Sequence, residues 1–174
     1  MNWKKQGGEK IKDEFLQRRF VFELPTEKKS ETNFLRVRDE GDCITLTLKD
    51  VKGNTITGQT EIQIMVSDFE MTGLLLESMG CTKESHQESK RELWKIGNTE
   101  IMFDTWPFLD TYVEIEGESE SSVKEIAEAL GLDYTQTLFS TVNALYKMKY
   151  GLSIHELSKE KRSSLTFSGE NPFL

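Results

Sequence analysis

The chain has 174 residues, 36% hydrophobic and 10% aromatic, which is enough for one domain with a real core and short for two. Its 22 basic and 30 acidic residues leave a net charge of −8, which opposes general binding to a nucleic-acid backbone. No run approaches the roughly 18 apolar residues of a membrane span, the opening MNWKKQGGEK lacks the apolar centre of a secretory signal, and Cys43 and Cys81 lie far apart with no histidine at ligand spacing. A zinc site is therefore disfavoured, and a reducing compartment, the cytoplasm, is expected.

The first periodic segment is 16–24, where Phe20, Phe22 and Leu24 alternate with Gln17, Arg19 and Glu23 until Pro25 stops the strand. An aperiodic polar loop follows, and 34–39 opens a second strand that turns at Glu40-Gly41-Asp42 into its hairpin partner, 43–49. Residues 50–59, with Gly53, Asn54 and Gly58, read as a longer hairpin loop before the strand 60–66. In that strand Ile62, Ile64 and Val66 are expected to face inward, opposite Glu61 and Gln63.

Ser67 and Glu70 form the spacing of a capping box ahead of a helix carrying Phe69, Leu74, Leu75 and Met79, with Gly80 as its stop. Its Met and Leu stripe is expected in the core. Three further strands follow at 87–95, 100–104 and 111–117, the first two joined by a tight turn at Gly97-Asn98. Residues 119–130 read as a helix with the stripe Val123, Ile126, Ala127 and Leu130, and 140–150 as another closed by Gly151. From Ser158 the chain turns polar and is expected to run over the surface, with Phe167 and Phe173 able to dock.

Four of these segments carry charges on alternate residues, and successive strand side chains point to opposite faces. Arg36 and Arg38 thus share a face, and Lys49 can join them by parity. Guanidinium forks grip phosphate oxygens in pairs and a lysine adds a point charge, so the three could hold two or three linked phosphates. An exposed face with cross-strand ion pairs explains these residues equally well.

Glu114 and Glu116 share a face about 7 Å apart, near Asp104 on the preceding strand. Glu61 adds to this set, and such oxygens suit magnesium or manganese. A solvated strand surface is the plainer alternative. Only one of Lys90 and Arg91 can join such a site, and Arg91 is preferred; Arg19 is preferred over Arg18 for the same reason. His86 and His155 read as surface residues, and Trp94 and Trp106 as packing residues.

The ordered pieces FLQRRFVFELP, NFLRVRDEGDCITLTLK, the stretch from Glu61 to Glu70 with SDFE, LLESMG, SKRELW, IMFDTWPFLDTYVEIEGES and ALGLD resemble the CYTH domain. That family includes class IV adenylate cyclases, thiamine triphosphatases and related tripolyphosphatases. The ending YGLSIHEL with NPF is similar to prokaryotic cyclase-like members.

This resemblance implies an α+β fold, an antiparallel β-barrel forming a triphosphate tunnel with helices packed outside. It also implies an enzyme dependent on Mg²⁺ or Mn²⁺. The expected substrate is a triphosphate such as ATP, converted to cyclic AMP and pyrophosphate; hydrolysis of inorganic, thiamine or nucleoside triphosphate, or binding without turnover, are the alternatives. Phosphate would be held by Arg36, Arg38, Lys49, Arg91 and Arg19, and metal by Glu61, Asp104, Glu114 and Glu116, with no catalytic residue assigned. Nucleic acid and membrane are not expected partners, and a homodimer is left open.

Two departures stand out: the family's E-x-E-x-K has no counterpart, since Glu9-Lys10-Ile11-Lys12 does not replace it, and its later K-x-R reads Ser89-Lys90-Arg91. The expectation is a CYTH-like domain over 1–157, incomplete at its N-terminal side and without its first strand, followed by a polar tail over 158–174.

Overall fold

A computed structural model describes residues 7–30, 32–51 and 59–174. The strands are β1 (Glu9–Glu23), β2 (Asn33–Asp39), β3 (Ile44–Val51), β4 (Gln59–Val66), β5 (Thr82–Ile96), β6 (Thr99–Thr105), β7 (Tyr112–Glu116) and β8 (Ser164–Leu165). The helices are α1 (Phe69–Ser78), α2 (Glu120–Ala129), α3 (Val142–Tyr150) and the single turn α4 (Lys159–Arg162).

One eight-stranded sheet has the order β4-β3-β2-β1-β5-β6-β7, with β8 beside β5. The paired registers are antiparallel except for β5 with β8, which run parallel. β4 and β7 end the hydrogen-bonded path, so among the described residues the sheet is not closed by hydrogen bonds. α1 packs on apolar strand residues in one hydrophobic cluster and α2 in another. The expected loop at 50–59 falls largely on 52–58, outside the described residues.

Two compact units divide the chain, Leu16–Ser89 with His155–Leu174 and Met1–Phe15 with Lys90–Ile154, and β1 and β5 contribute to both. In the first unit, alternation sends Phe20, Phe22 and Val37 to one face, where they pack on Phe69, Leu76 and Cys81 with Leu35, Ile44 and Leu46 around them. Phe20 stacks on Phe69 with ring centroids 4.2 Å apart.

The start of α1 differs from the expected capping box, because its N-cap is Asp68, whose carboxylate accepts the Met71 N–H at 2.8 Å. Its buried stripe is Phe69, Gly73 and Leu76, while Leu74, Leu75 and Met79 are exposed. Ile62 and Ile64 are exposed as well, at 59% and 55%. The reason is geometric. A helix about 10 Å wide covers about two strands spaced about 4.8 Å apart, and α1 lies against β2 with its Phe69 on Phe20 of β1, which leaves β4 at the sheet's end uncovered.

The C-terminal segment is tied into this unit. β8 pairs with β5 through His86 and Gln87, and Leu165 and Phe173 are buried, while Phe167 is partly exposed.

In the second unit, Trp94 and Ile101 pack with Ile96, Phe103, Val113 and Ile115 against Ile126 and Leu130 on the α2 side. α2 begins at a reciprocal box between Ser119 and Ser122. β5 and β6 pair from Ile96↔Thr99, so Gly97-Asn98 forms the expected two-residue turn, with Gly97 at φ 57° as such hairpin turns require. α3 ends at Gly151 in the left-handed region.

Candidate functional site

Each unit turns a polar face away from its apolar one, and the two faces carry opposite charge. On the first unit, the register sets Arg19 of β1 directly opposite Arg38 of β2, with Arg36 two residues away on the same face. Thr45 and Thr47 of β3 stand opposite Arg38 and Arg36, and Lys49 stands opposite Glu61 of β4. Like charges directly opposite on neighbouring strands repel, so the Arg19–Arg38 register concentrates positive potential that an anion would relieve.

The surroundings orient these cations. Arg19 Nη2 donates to Ser89 Oγ at 2.5 Å and to Gln17 Oε1 at 3.1 Å. Ser89 Oγ also donates to Gln17 Oε1, and Gln17 Nε2 reaches Glu40 Oε1, each at 3.1 Å. Glu40 in turn pairs with Arg38 Nε at 2.7 Å. Gln17 and Ser89 are almost wholly buried, so this chain of bonds is a fixed scaffold beneath the arginines. Thr45 Oγ1 is buried on the same face with no hydrogen-bond partner among the described residues, and such a group is costly unless something else bonds it.

Lys49 Nζ lies 2.9 Å from Glu61, so Glu61 sits on the basic face as a partner of Lys49. Arg18 takes the other face, bonded to Asp39 at 2.5 Å and lying over the Phe69 ring.

On the second unit, Arg91 stands opposite Asp104. Its Nε and Nη2 donate to the two Asp104 oxygens at 2.7 and 2.5 Å, and Nη2 also reaches Glu114 at 3.0 Å. Asp104 is only 2% exposed. Burial opposes the Arg91 charge, but the hydrogen bonds that Arg91 donates to Asp104 and the charges of Asp104, Glu114 and Glu116 outweigh it and raise its pKa. Glu114 is pushed above the usual carboxylate value by burial first and then by Asp104, with Arg91 pulling the other way. The Tyr112 hydroxyl donates to Glu114 at 3.4 Å. Glu116 is directly opposite Glu100, a second like-charge register, here of negative sign.

Carboxylate oxygens are the ligand type that hard divalent cations take. Among the described residues no three His, Cys, Asp or Glu side chains stand close enough to hold an ion by themselves. Magnesium, however, is commonly held by one or two carboxylates together with substrate phosphates and water. Both Asp104 oxygens accept from Arg91, whereas Glu114 meets Arg91 through one oxygen.

Sequence reading missed Glu100, Gln17, Ser89 and Thr45. Glu100 was within reach of the same alternation that selected Asp104, whereas the uncharged residues give no sequence signal until the register is known.

A family model described as the CYTH domain matches residues 11–164. The chain belongs to the CYTH domain family. Members of this family bind triphosphate substrates, and its enzymes are generally divalent-metal dependent.

Among solved CYTH-like structures, a Pyrococcus horikoshii OT3 protein superposes with a TM-score of 0.64 at 18% identity, covering 80% of this chain and 87% of that one. A candidate adenylate cyclase of Vibrio parahaemolyticus gives 0.55 at 15% identity, covering 89% and 82%. A candidate adenylyl cyclase of Hippeastrum, described as having a dominant triphosphatase activity, gives 0.52 at 15% identity, covering 79% and 83%. At these identities the likeness shows the shared fold. No curated protein matches the chain in sequence.

Proposed function

We propose that this CYTH protein is a divalent-metal-dependent enzyme acting on a triphosphate, with ATP cyclisation to cyclic AMP and pyrophosphate as its reaction. The observation that carries the proposal is the register that sets Arg19 against Arg38, with Arg36 and Lys49 on the same face. Arg19, Arg36, Arg38 and Lys49 take the phosphate oxygens, the arginines in pairs and the lysine as a point charge. Arg91, aimed by Asp104 through Nε and Nη2, offers Nη1 to a further phosphate oxygen. Glu114 and Glu116 hold Mg²⁺ or Mn²⁺, and Glu61 keeps Lys49 extended along its strand.

When bound, the metal neutralises phosphate charge and polarises the bond to the leaving group. The chain's own part is positioning, which dominates phosphoryl-transfer catalysis. In cyclisation the ribose 3′-oxygen forms a bond to the α-phosphorus and passes its proton to water, while the bond to the bridging oxygen breaks and pyrophosphate leaves. The second reading is hydrolysis, in which water attacks the terminal phosphorus. It is supported by the activity reported for the Hippeastrum relative and uses the same clamp. Cys43 and Cys81, neither of them in a disulfide, fit a reducing, cytoplasmic setting.

Incubation with ATP and Mn²⁺, read for cyclic AMP against phosphate, separates the two reactions. Arg38→Ala and Lys49→Ala are expected to weaken binding of inorganic tripolyphosphate about tenfold or more by calorimetry. Parent-like binding by both variants would overturn the phosphate assignment.

A further inference from the structure

Two threonines of β3 stand two residues apart on the basic face of the first unit, both buried, and the strand register gives them different neighbours. Thr47 lies between Arg36 of β2 and Gln63 of β4, and its hydroxyl donates to Gln63 Oε1 at 3.0 Å. Thr45 lies between Arg38 and Met65. It is 5% exposed, and its Oγ1 has no hydrogen-bond partner among the described residues.

The neighbours explain the difference. A guanidinium carries N–H donors and no acceptor, and a thioether sulfur accepts only weakly. On neither neighbouring strand does the Thr45 hydroxyl face a good acceptor for its proton. At Thr47 the fold supplies that acceptor from β4; two residues along, where Gln63 gives way to Met65, it does not. A buried hydroxyl left in this way is a standing cost, and native structures carry few such groups without a functional reason.

Thr45 would be satisfied by an acceptor oxygen beside a guanidinium, which describes an anion gripped by Arg38. The register adds a second cation at this spot, since Arg19 stands opposite Arg38 and is held there by Ser89 and Gln17. Cross-strand neighbours have Cβ atoms about 5 Å apart, so one tetrahedral oxyanion can accept from Arg38 and Thr45 through different oxygens.

We infer that Thr45 is a phosphate ligand, its hydroxyl donating to an oxygen of the phosphate group that Arg38 and Arg19 hold. This rests on the triphosphate reading above and adds an uncharged donor to its cations. Thr47 is committed to Gln63 and serves the sheet.

The test is calorimetric titration of the whole chain with inorganic tripolyphosphate in the presence of Mn²⁺, comparing Thr45→Val and Thr45→Ser with the parent. Valine keeps the branched shape and removes the hydroxyl, whereas serine keeps the hydroxyl. Thr45→Val is expected to lose about tenfold in affinity, the order of one hydrogen bond to a charged group, and Thr45→Ser to bind like the parent. Melting curves recorded without tripolyphosphate supply the second readout. Thr45→Val is expected to melt no lower than the parent, because it removes a buried hydroxyl that has no partner to lose.

Parent-like affinity in Thr45→Val would mean that water alone serves the hydroxyl, and the assignment would be wrong while the triphosphate reading stands. An equal loss in Thr45→Ser would place the effect in side-chain shape and sink the assignment too. A lower melting temperature for Thr45→Val would do the same, by showing that the hydroxyl is bonded within the protein. If the parent does not bind tripolyphosphate, the triphosphate reading itself fails and the assignment of Thr45 falls with it.

Discussion

Asp104 shows how a charged residue on a strand face can be fixed by a single partner. It is buried, both its oxygens accept from one guanidinium, and removing that guanidinium strands a carboxylate out of water. Breaking such a pair costs about 3–5 kcal/mol. Arg91→Met is therefore expected to lower stability by about 3 kcal/mol in urea titrations. Lys49→Ala, which breaks a more exposed pair with Glu61, should cost less than about 1 kcal/mol while impairing phosphate binding. Equal losses would mean that Arg91 is not locked as described.

At this scale alternation was informative. It selected Arg91 over Lys90 and Arg19 over Arg18, and the registers set Arg91 against Asp104 and Arg19 against Arg38. It could not foresee that Asp104 would spend both oxygens on Arg91, because parity gives a face and not a partner.

At the level of elements, the helices' glycine stops and the hairpin at Gly97-Asn98 were legible in the sequence, whereas the N-cap of α1 and the coverage of the sheet were not. Ile62 and Ile64 have the pattern of an inward strand face, yet what lies over a strand is decided by where α1 packs. Leu74 and Leu75 were misread for the same reason: Gly73 is the residue that meets Phe20, a Cβ there falling 3.1 Å from the ring, so the buried stripe runs through the smallest side chain.

The C-terminal segment was equally opaque, since its anchors are ion pairs distant in sequence. Glu84 of β5 pairs with Arg162 at 2.7 Å and Lys159 at 3.1 Å. Burial alone would raise its pKa, but the hydrogen bonds and charges of Arg162 and Lys159 outweigh it and hold the carboxylate below the ordinary glutamate value. A depressed carboxylate pKa adds stability that is present above the unfolded value and is lost as pH falls through the folded one. Glu84→Gln is accordingly expected to be less stable than the parent at pH 7, with the gap closing by about pH 3. Urea midpoints of both proteins across that range check it, and a gap independent of pH would remove Glu84 from the anchoring of α4 and β8.

For the whole molecule, composition excluded more than it assigned. A net charge of −8 repels a polyanion at long range, so a triphosphate must rely on cations concentrated by strand register and on a divalent ion. That requirement has a thermodynamic consequence. If Glu114 and Glu116 hold the ion and the arginine face holds the phosphates of the same ligand, each must raise the affinity for the other, reciprocally and by about 1–3 kcal/mol.

A ligand at about 100 times its dissociation constant stabilises a fold by about 2.7 kcal/mol, and at this chain length about 1 kcal/mol moves the melting temperature by roughly 2–4 °C. Mn²⁺ and inorganic tripolyphosphate together are therefore expected to raise the melting temperature by roughly 5–10 °C, more than the sum of their separate effects. Glu114→Gln should abolish the excess while leaving the response to tripolyphosphate alone. Strictly additive shifts in the parent would mean that the acidic and basic faces bind their ligands independently, and the catalytic reading would then lose its physical basis.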